Sequence, residues 1–121
     1  RTVLRAFVEP SEVELPALDE AFLQSVTEAV EHNLENPDFS VDDLARQLLL
    51  NRKQVYRKIK ALTDQGPKEY IRIIRLKRAA QLLKTHRYTV AEVTYKVGFQ
   101  DLKNFRERFR EFYGVSPSEF E

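Results

Sequence analysis

The 121-residue sequence predicts an all-α fold, two helix-turn-helix units bridged by a long helix, on three observations. Glycine occurs only 3 times while Leu, Ala, Arg, Lys, Glu and Gln abound, a composition that favours helices over strands. From Asp19 onward apolar residues recur three and four apart, the spacing of one helix face. A Ser, Thr, Asn or Asp stands just before most of those runs, where its side chain can cap a helix. The length fits one domain with a single core. The strand-like stretch RTVLRAFVEP, at 1–10, is too isolated to build a sheet.

Residues 1–18 hold Pro10 and Pro16, show no sustained period and read as a linker, so the domain is expected over 19–121. Asp19 reads as the N-cap of a helix in which Phe22, Val26 and Val30 repeat, with Leu23 and Leu34 beside them, until Asn36 and Pro37 stop it. In FSVDDLARQLLL, Ser40 is the N-cap, Asp43 takes the capping-box position, and Val41, Leu44, Ala45 and Leu48 make an apolar stripe. Leu49 and Leu50 form a turn, and Asn51 caps RKQVYRKIKALT, buried through Val55, Ile59 and Leu62. Two helices so closely joined, over about 40–63, are a helix-turn-helix.

After DQGP comes the long helix KEYIRIIRLKRAAQLLKT, about 68–85, buried through Tyr70, Ile73 or Ile74, Leu76, Ala80 and Leu83. Its length is about 27 Å at ~1.5 Å per residue. Thr89 then caps VAEVTYKV, with Glu92 completing a capping box. Gly98 and Phe99 turn the chain, and Asp101 caps LKNFRERFREFY, buried through Phe105, Phe109 and Phe112. This second pair covers about 89–113.

The second pair repeats the first. Ser40 maps onto Thr89 at an offset of 49, whereas Asn51, Val55, Ile59, Leu62 and Pro67 map onto Asp101, Phe105, Phe109, Phe112 and Pro117 at an offset of 50. The change of offset places a one-residue insertion in the second turn. QGPKEY and VSPSEF, which follow the two pairs, are loose copies of each other. Pro67 and Pro117 sit at N1 of a closing helix; Gly66 caps the first copy, and in the second Ser116 caps with Glu119 at N3 and Val115 staples onto Phe120.

Charge is divided along the chain: 2 basic and 9 acidic residues up to Ser40, then 18 basic and 10 acidic. A basic remainder fits a polyanion-binding face, though helical proteins also carry such charge as solvated surface. On a helical wheel with Val55, Ile59 and Leu62 inward, Lys53, Gln54, Arg57 and Lys60 point outward with Tyr56 on the flank. With Phe105, Phe109 and Phe112 inward, the outward face holds Lys103, Asn104, Glu107 and Arg110, with Arg106 on the flank. Amide and basic side chains are the types that pair with adenine and guanine edges or with phosphate. Adjacent major-groove segments on one face of B-DNA lie about 34 Å apart, a scale matched by the bridging helix plus its flanking turns.

Several segments carry a family resemblance: FSVDDLARQL, NRKQVYRKIKALT, GPKEYIRIIRLKRAAQLL, TVAEVTYKVGF followed by Asp101, and NFRERFREFYGVSPSEF. Residues from about 19 to 121 resemble the AraC/XylS-type DNA-binding domain, and in particular the C-terminal output domains of response regulators and hybrid two-component proteins. The resemblance implies seven helices and a sequence-specific transcription regulator reading two adjacent major-groove segments. It places the base-reading side chains at Lys53, Gln54, Tyr56 and Arg57, then at Leu102, Lys103, Asn104, Arg106 and Glu107. Phosphate contacts are expected from Arg52, Lys58, Lys60, Arg108 or Arg110 and from helix N-termini.

Two positions depart from the family pattern. Glu107, the counterpart of Arg57, either accepts a hydrogen bond from cytosine N4 or pairs with Arg110 or Lys103 at the surface. Leu49 stands where glycine is usual: either it adopts a positive φ at a cost on the order of 1 kcal/mol, or the turn is rearranged.

The implied partners are double-stranded DNA, RNA polymerase and an upstream receiver domain, with no membrane contact by this stretch. Starting at Arg1, the chain reads as a piece of a longer cytoplasmic protein that missing regions could anchor to a membrane. The piece is expected to be monomeric and the full-length protein dimeric. No cofactor, metal site or enzymatic activity is expected. His32 and His86 form no zinc pattern, cysteine is absent, and no phosphate-binding loop, nucleophile elbow or HExxH helix occurs. The alternative reading is a protein-interaction module docking a receiver domain or RNA polymerase, for which acidic Glu28, Glu31 and Glu35 offer a surface.

Overall fold

The computed structural model describes residues 15–120; of the linker expected over 1–18, residues 1–14 lie outside the described residues and 15–18 are instead the first turn of a helix. Among the described residues six α-helices follow in order: α1 Leu15–His32, α2 Val41–Gln47, α3 Arg52–Thr63, α4 Pro67–Lys84, α5 Val90–Lys96 and α6 Leu102–Tyr113. The expected seventh helix is a single 3-10 turn, Pro117–Glu119. No strand occurs among the described residues.

Capping chemistry fixes where most helices begin. The Ser40 hydroxyl accepts from the Asp43 N–H at 3.1 Å while the Ser40 N–H donates to the Asp43 carboxylate at 2.9 Å. Thr89 and Glu92 make the same reciprocal pair at 3.0 and 2.8 Å. Asn51 and Gln54 form a third box, at 2.8 and 2.9 Å, in the sequence pattern Asn-x-x-Gln. Asp101 accepts from the Asn104 N–H at 2.7 Å. Asp19 is not a cap: α1 starts at Leu15, four residues earlier. Pro16 does not end the helix because a proline in the first turn gives up only a donor that has no intrahelical acceptor. The same helix stops at His32, before the Asn36-Pro37 pair expected to end it.

The repeat holds residue by residue. Helices α3 and α6 are offset by 50 at both ends, α2 and α5 by 49, and Gln100 is the extra residue. Both turns close alike. In the first, the Leu50 N–H donates to the Ala45 carbonyl at 2.9 Å and the Leu49 N–H to Arg46 at 3.2 Å; in the second, Phe99 donates to Thr94 at 3.0 Å and Gly98 to Tyr95 at 3.2 Å. These are Schellman closures, which require a left-handed residue after the helix. Leu49 supplies it at φ 59° and Gly98 at φ 86°, so the first turn is not rearranged.

Helix α4 is the spine, packing against α1, α3, α5 and α6, whereas neither helix of the first pair packs broadly on the second pair. Two cores flank it. One joins Val26, Ala29, Val30, Phe39, Leu44, Ala45, Val55, Ile59, Ile71 and Ile74. The other joins Leu76, Ala79, Ala80, Leu83, Val93, Val97, Phe99, Phe105 and Phe109. Leu34 packs against both. Along α4 the buried face runs through Ile71, Ile74, Leu76, Ala79, Ala80 and Leu83, while Tyr70 is only half-buried and Ile73 is not the core residue of its pair.

Phe112 is 41% exposed rather than buried. Tyr113 takes the inward place, its ring 4.7 Å from Phe109 and 5.1 Å from Phe120 between centroids. Phe120 lies 5.3 Å from Phe109, so the 3-10 turn delivers an aromatic lid onto the second core. Val115, the expected staple partner, stays exposed. Ser116 and Glu119 do interact, through the Ser116 N–H and the Glu119 carboxylate at 3.3 Å.

Candidate nucleic-acid interface

The same inward anchors that fill the cores set the outward faces. Val55 and Ile59 of α3, and Phe105 and Phe109 of α6, are fully buried, which leaves Lys53, Gln54, Tyr56, Arg57, Lys103, Asn104, Arg106 and Glu107 exposed. Leu102 differs: it is half-buried against the second core, and its apolar side chain helps to seat α6.

Hydrogen bonding sorts these side chains further. Lys53, Arg57, Lys103, Arg106, Glu107 and Arg110 make no side-chain hydrogen bond or ion pair among the described residues. Glu107 therefore does not form the surface pair with Arg110 or Lys103 that was one of its two readings. The Gln54 oxygen is held by the Asn51 N–H, which leaves its amide N–H groups to donate. The Asn104 oxygen receives the Arg108 Nε–H at 3.3 Å, so Asn104 too presents its donors.

The expected phosphate contacts are mostly engaged within the protein. Arg52 pairs with Asp42 at 3.0 Å, Arg108 with Glu111 at 2.6 Å, and Lys60 donates to the Asp64 carbonyl at 3.3 Å. Lys58 stands 4.9 Å from the centre of the Phe22 ring, tying α3 to α1. Arg110 alone of that group is unpaired among the described residues. Exposed pairs of this kind contribute only about 0.2–1 kcal/mol, so a phosphate can compete for the cations. On the acidic helix α1, Glu31 is turned toward Arg78 of α4 at 3.0 Å and Glu28 accepts from Gln24 at 3.3 Å.

The residue our sequence reading missed is Arg75. Set in the run IRLKRA, it counts as one more surface cation; in the structure it is 6% exposed. Its Nη1 donates to the Leu34 carbonyl at 2.5 Å and the Val97 carbonyl at 2.7 Å, and its Nη2 to Asn36 at 3.0 Å. No carboxylate pairs with it among the described residues, and burial pulls its pKa below the ordinary arginine value. The three carbonyls come from the loop after α1 and from the end of α5. Gly98 lies against the guanidinium: a Cβ there would meet Arg75 Nη1 at 1.5 Å and the Leu34 carbonyl at 2.2 Å. No buried side-chain polar atom lacks a partner among the described residues.

No metal-binding cluster and no helix long and apolar enough to cross a membrane occurs among the described residues, and His32 and His86 are both exposed. The surface that remains is a pair of equivalent, cation-bearing helices on a shared spine. Comparison with known proteins agrees with that outline. A helix-turn-helix domain family matches residues 44–121. Over 114 residues the chain is 37% identical to histidine kinase P4 of Formosa agariphila; the match takes in 94% of this chain and 8% of that much longer protein.

Among solved structures, a transcriptional regulator with an AraC-type DNA-binding domain from Chromobacterium violaceum is 27% identical with a TM-score of 0.76, over 85% of this chain and 91% of that one. The DNA-binding domain of the global transcriptional factor AdpA, solved with a target DNA, is 32% identical with a TM-score of 0.70, over 79% of this chain and 85% of that one. The chain belongs to the AraC-type helix-turn-helix family of DNA-binding transcription regulators.

Proposed function

We propose that the domain reads two successive major-groove segments on one face of duplex DNA, α3 entering one and α6 the next. The observation that carries this reading is the shared register of the two exposed faces, Lys53, Gln54 and Arg57 on α3 against Lys103, Asn104 and Glu107 on α6. Arg57 and Lys53, unpaired and exposed, suit guanine or phosphate; Gln54 and Asn104 keep amide donors free for base edges. Glu107 is an unpaired acceptor that suits cytosine N4 and opposes phosphate, so the α6 segment is the weaker and differently specific one. Arg52, Lys58, Lys60, Arg108 and Arg110 supply backbone contacts around the two readers.

The likeness to a segment of a histidine kinase supports a place as the output domain of a hybrid two-component protein, behind a receiver domain, with RNA polymerase as the downstream partner. In that setting the piece is monomeric alone, dimerisation comes from other parts of the protein, and it acts in the cytoplasm. Selection of bound duplexes from a random-sequence pool near physiological salt tests the reading. Enrichment of two short blocks about one helical turn apart is the expected result. Binding with no enriched block, or none at all, overturns it; in the second case docking to a receiver or polymerase becomes the better account.

A further inference from the structure

We infer that Arg75, seated against Gly98, is the positioning residue that fixes the spacing between the two DNA blocks the domain accepts. The inference rests on the two-segment reading above, but its geometric half stands without DNA. On the spine, Ile74 belongs to the first core and Leu76 to the second, so Arg75 occupies the position where the two part. From there it bonds Leu34 and Asn36, which lead from α1 into the first helix pair, and Val97, which ends α5 of the second.

The planar guanidinium matters. Its donors leave in fixed directions within one plane, so three simultaneous bonds set an angle between the segments as well as a distance. Hydrophobic packing resists separation but is non-directional and tolerates sliding. Among the described residues little else bridges the two pairs directly: the Gln100 side chain reaches Asp38 at 3.4 Å, and Leu34 lies between the cores. Gly98 completes the seat, because any Cβ there would occupy the volume of the guanidinium.

The second pair is steered through this seat. Val97 and Gly98 form the turn between α5 and α6, so tilting that turn against α4 swings α6 relative to α3. On DNA, moving one block by a single base pair rotates it by about 35° around the duplex axis. A rigid pair of readers cannot follow such a rotation, whereas a loosened pair can. Arg75 touches no base in this scheme; it acts through the angle it sets between the helices that do.

The test uses the chain's lack of cysteine. Spin labels on Ala61→Cys in α3 and Glu111→Cys in α6 give the inter-reader distance distribution in the absence of DNA. In parallel, duplexes carrying the selected blocks at the selected spacing, and one base pair longer or shorter, are titrated together with single-block duplexes. The unaltered chain is expected to show a narrow distribution and to reject each altered spacing about tenfold. Arg75→Met broadens the distribution and brings the three spacings within about twofold of one another, while single-block affinities and base preferences stay as they were. Arg75→Lys, which keeps the charge without the planar fork, falls between and carries the test if the methionine variant does not fold.

A folded Arg75 variant with an unchanged distance distribution and unchanged spacing discrimination overturns the inference. If the unaltered chain enriches no blocks, the two-segment reading has failed. The distance measurement then decides the positioning role by itself: broadening in the variant supports it, and an unchanged distribution rejects it.

Discussion

The turns of the two helix pairs share one backbone and differ in why they have it. Leu49 and Gly98 hold equivalent left-handed positions, at φ 59° and 86°, and close the same Schellman hydrogen bonds. Leu49 is 90% exposed, so leucine there bears the local cost of the left-handed region. Gly98 is buried beneath Arg75 and the Leu34 carbonyl, where even a methyl group has no room. A conformational requirement can be met by the wrong residue at about 1 kcal/mol, but a requirement of space cannot. The first turn is therefore a local solution and the second a tertiary one.

The largest expected effects come from the cores that the turns join. Phe109→Ala should destabilise the domain by about 3–5 kcal/mol and Ile59→Ala, its counterpart, by about 2–5, read from denaturant midpoints. Phe109 should cost more because the rings of Phe105, Tyr113 and Phe120 all rest on it. Equal losses would mean that the two halves are built to the same strength after all.

Gly98→Ala comes next, at about 3 kcal/mol, since overpacking and a positive φ act together. Leu49→Gly should do the opposite and stabilise by about 0.5 kcal/mol, the relief of left-handed strain less the entropy glycine adds to the unfolded chain. A pair of thermal melts settles both, and destabilisation by Leu49→Gly would show that the exposed leucine has a packing role.

On DNA, Arg57→Ala should cost about 1–3 kcal/mol and relax base preference in one block if Arg57 reads a base. Glu107→Arg should strengthen binding to unselected duplex and steepen its salt dependence by about one phosphate contact. Titrations across a salt series measure both, and an unchanged slope for Glu107→Arg would place that side chain away from the backbone. The smallest effect concerns acid. Hydrogen bonds from the Ser40 backbone and hydroxyl, with Arg46 nearby, hold the Asp43 carboxyl below its ordinary value. A lowered carboxyl pKa stabilises the fold above the unfolded-state value and loses that contribution as pH falls through the folded one. Asp43→Asn should therefore flatten the loss of melting temperature below about pH 4, where the unaltered chain declines.

Most of the fold was legible because local chemistry and the tertiary result agree. Ser40, Asn51, Thr89 and Asp101 cap where their side chains say they will, and the offsets of 49 and 50 survive into three dimensions. The errors fall where a local rule leaves a choice. Phe112 and Tyr113 both continue the inward stripe of α6, and only the arrival of Phe120 from the 3-10 turn selects Tyr113. Pro16 looks like a boundary until the helix is known to begin one residue before it. Of the candidate site, the outward faces followed from the wheel, but which cations are already paired did not. Arg52 meets Asp42 across a turn, a contact no periodicity reveals. Arg75 was illegible for a stronger reason: its partners are backbone carbonyls, and every residue type has one.

Leu34 ties the two halves of the molecule together. Its side chain lies against both cores while its carbonyl accepts a hydrogen bond from the buried arginine, so one loop residue belongs to two potential foldons at once. Opening either half must disturb that residue, and through it the other half. A bipartite domain of this size could melt in two steps, one pair at a time; the shared loop predicts instead that native-state hydrogen exchange will find the two halves losing their amide protection together.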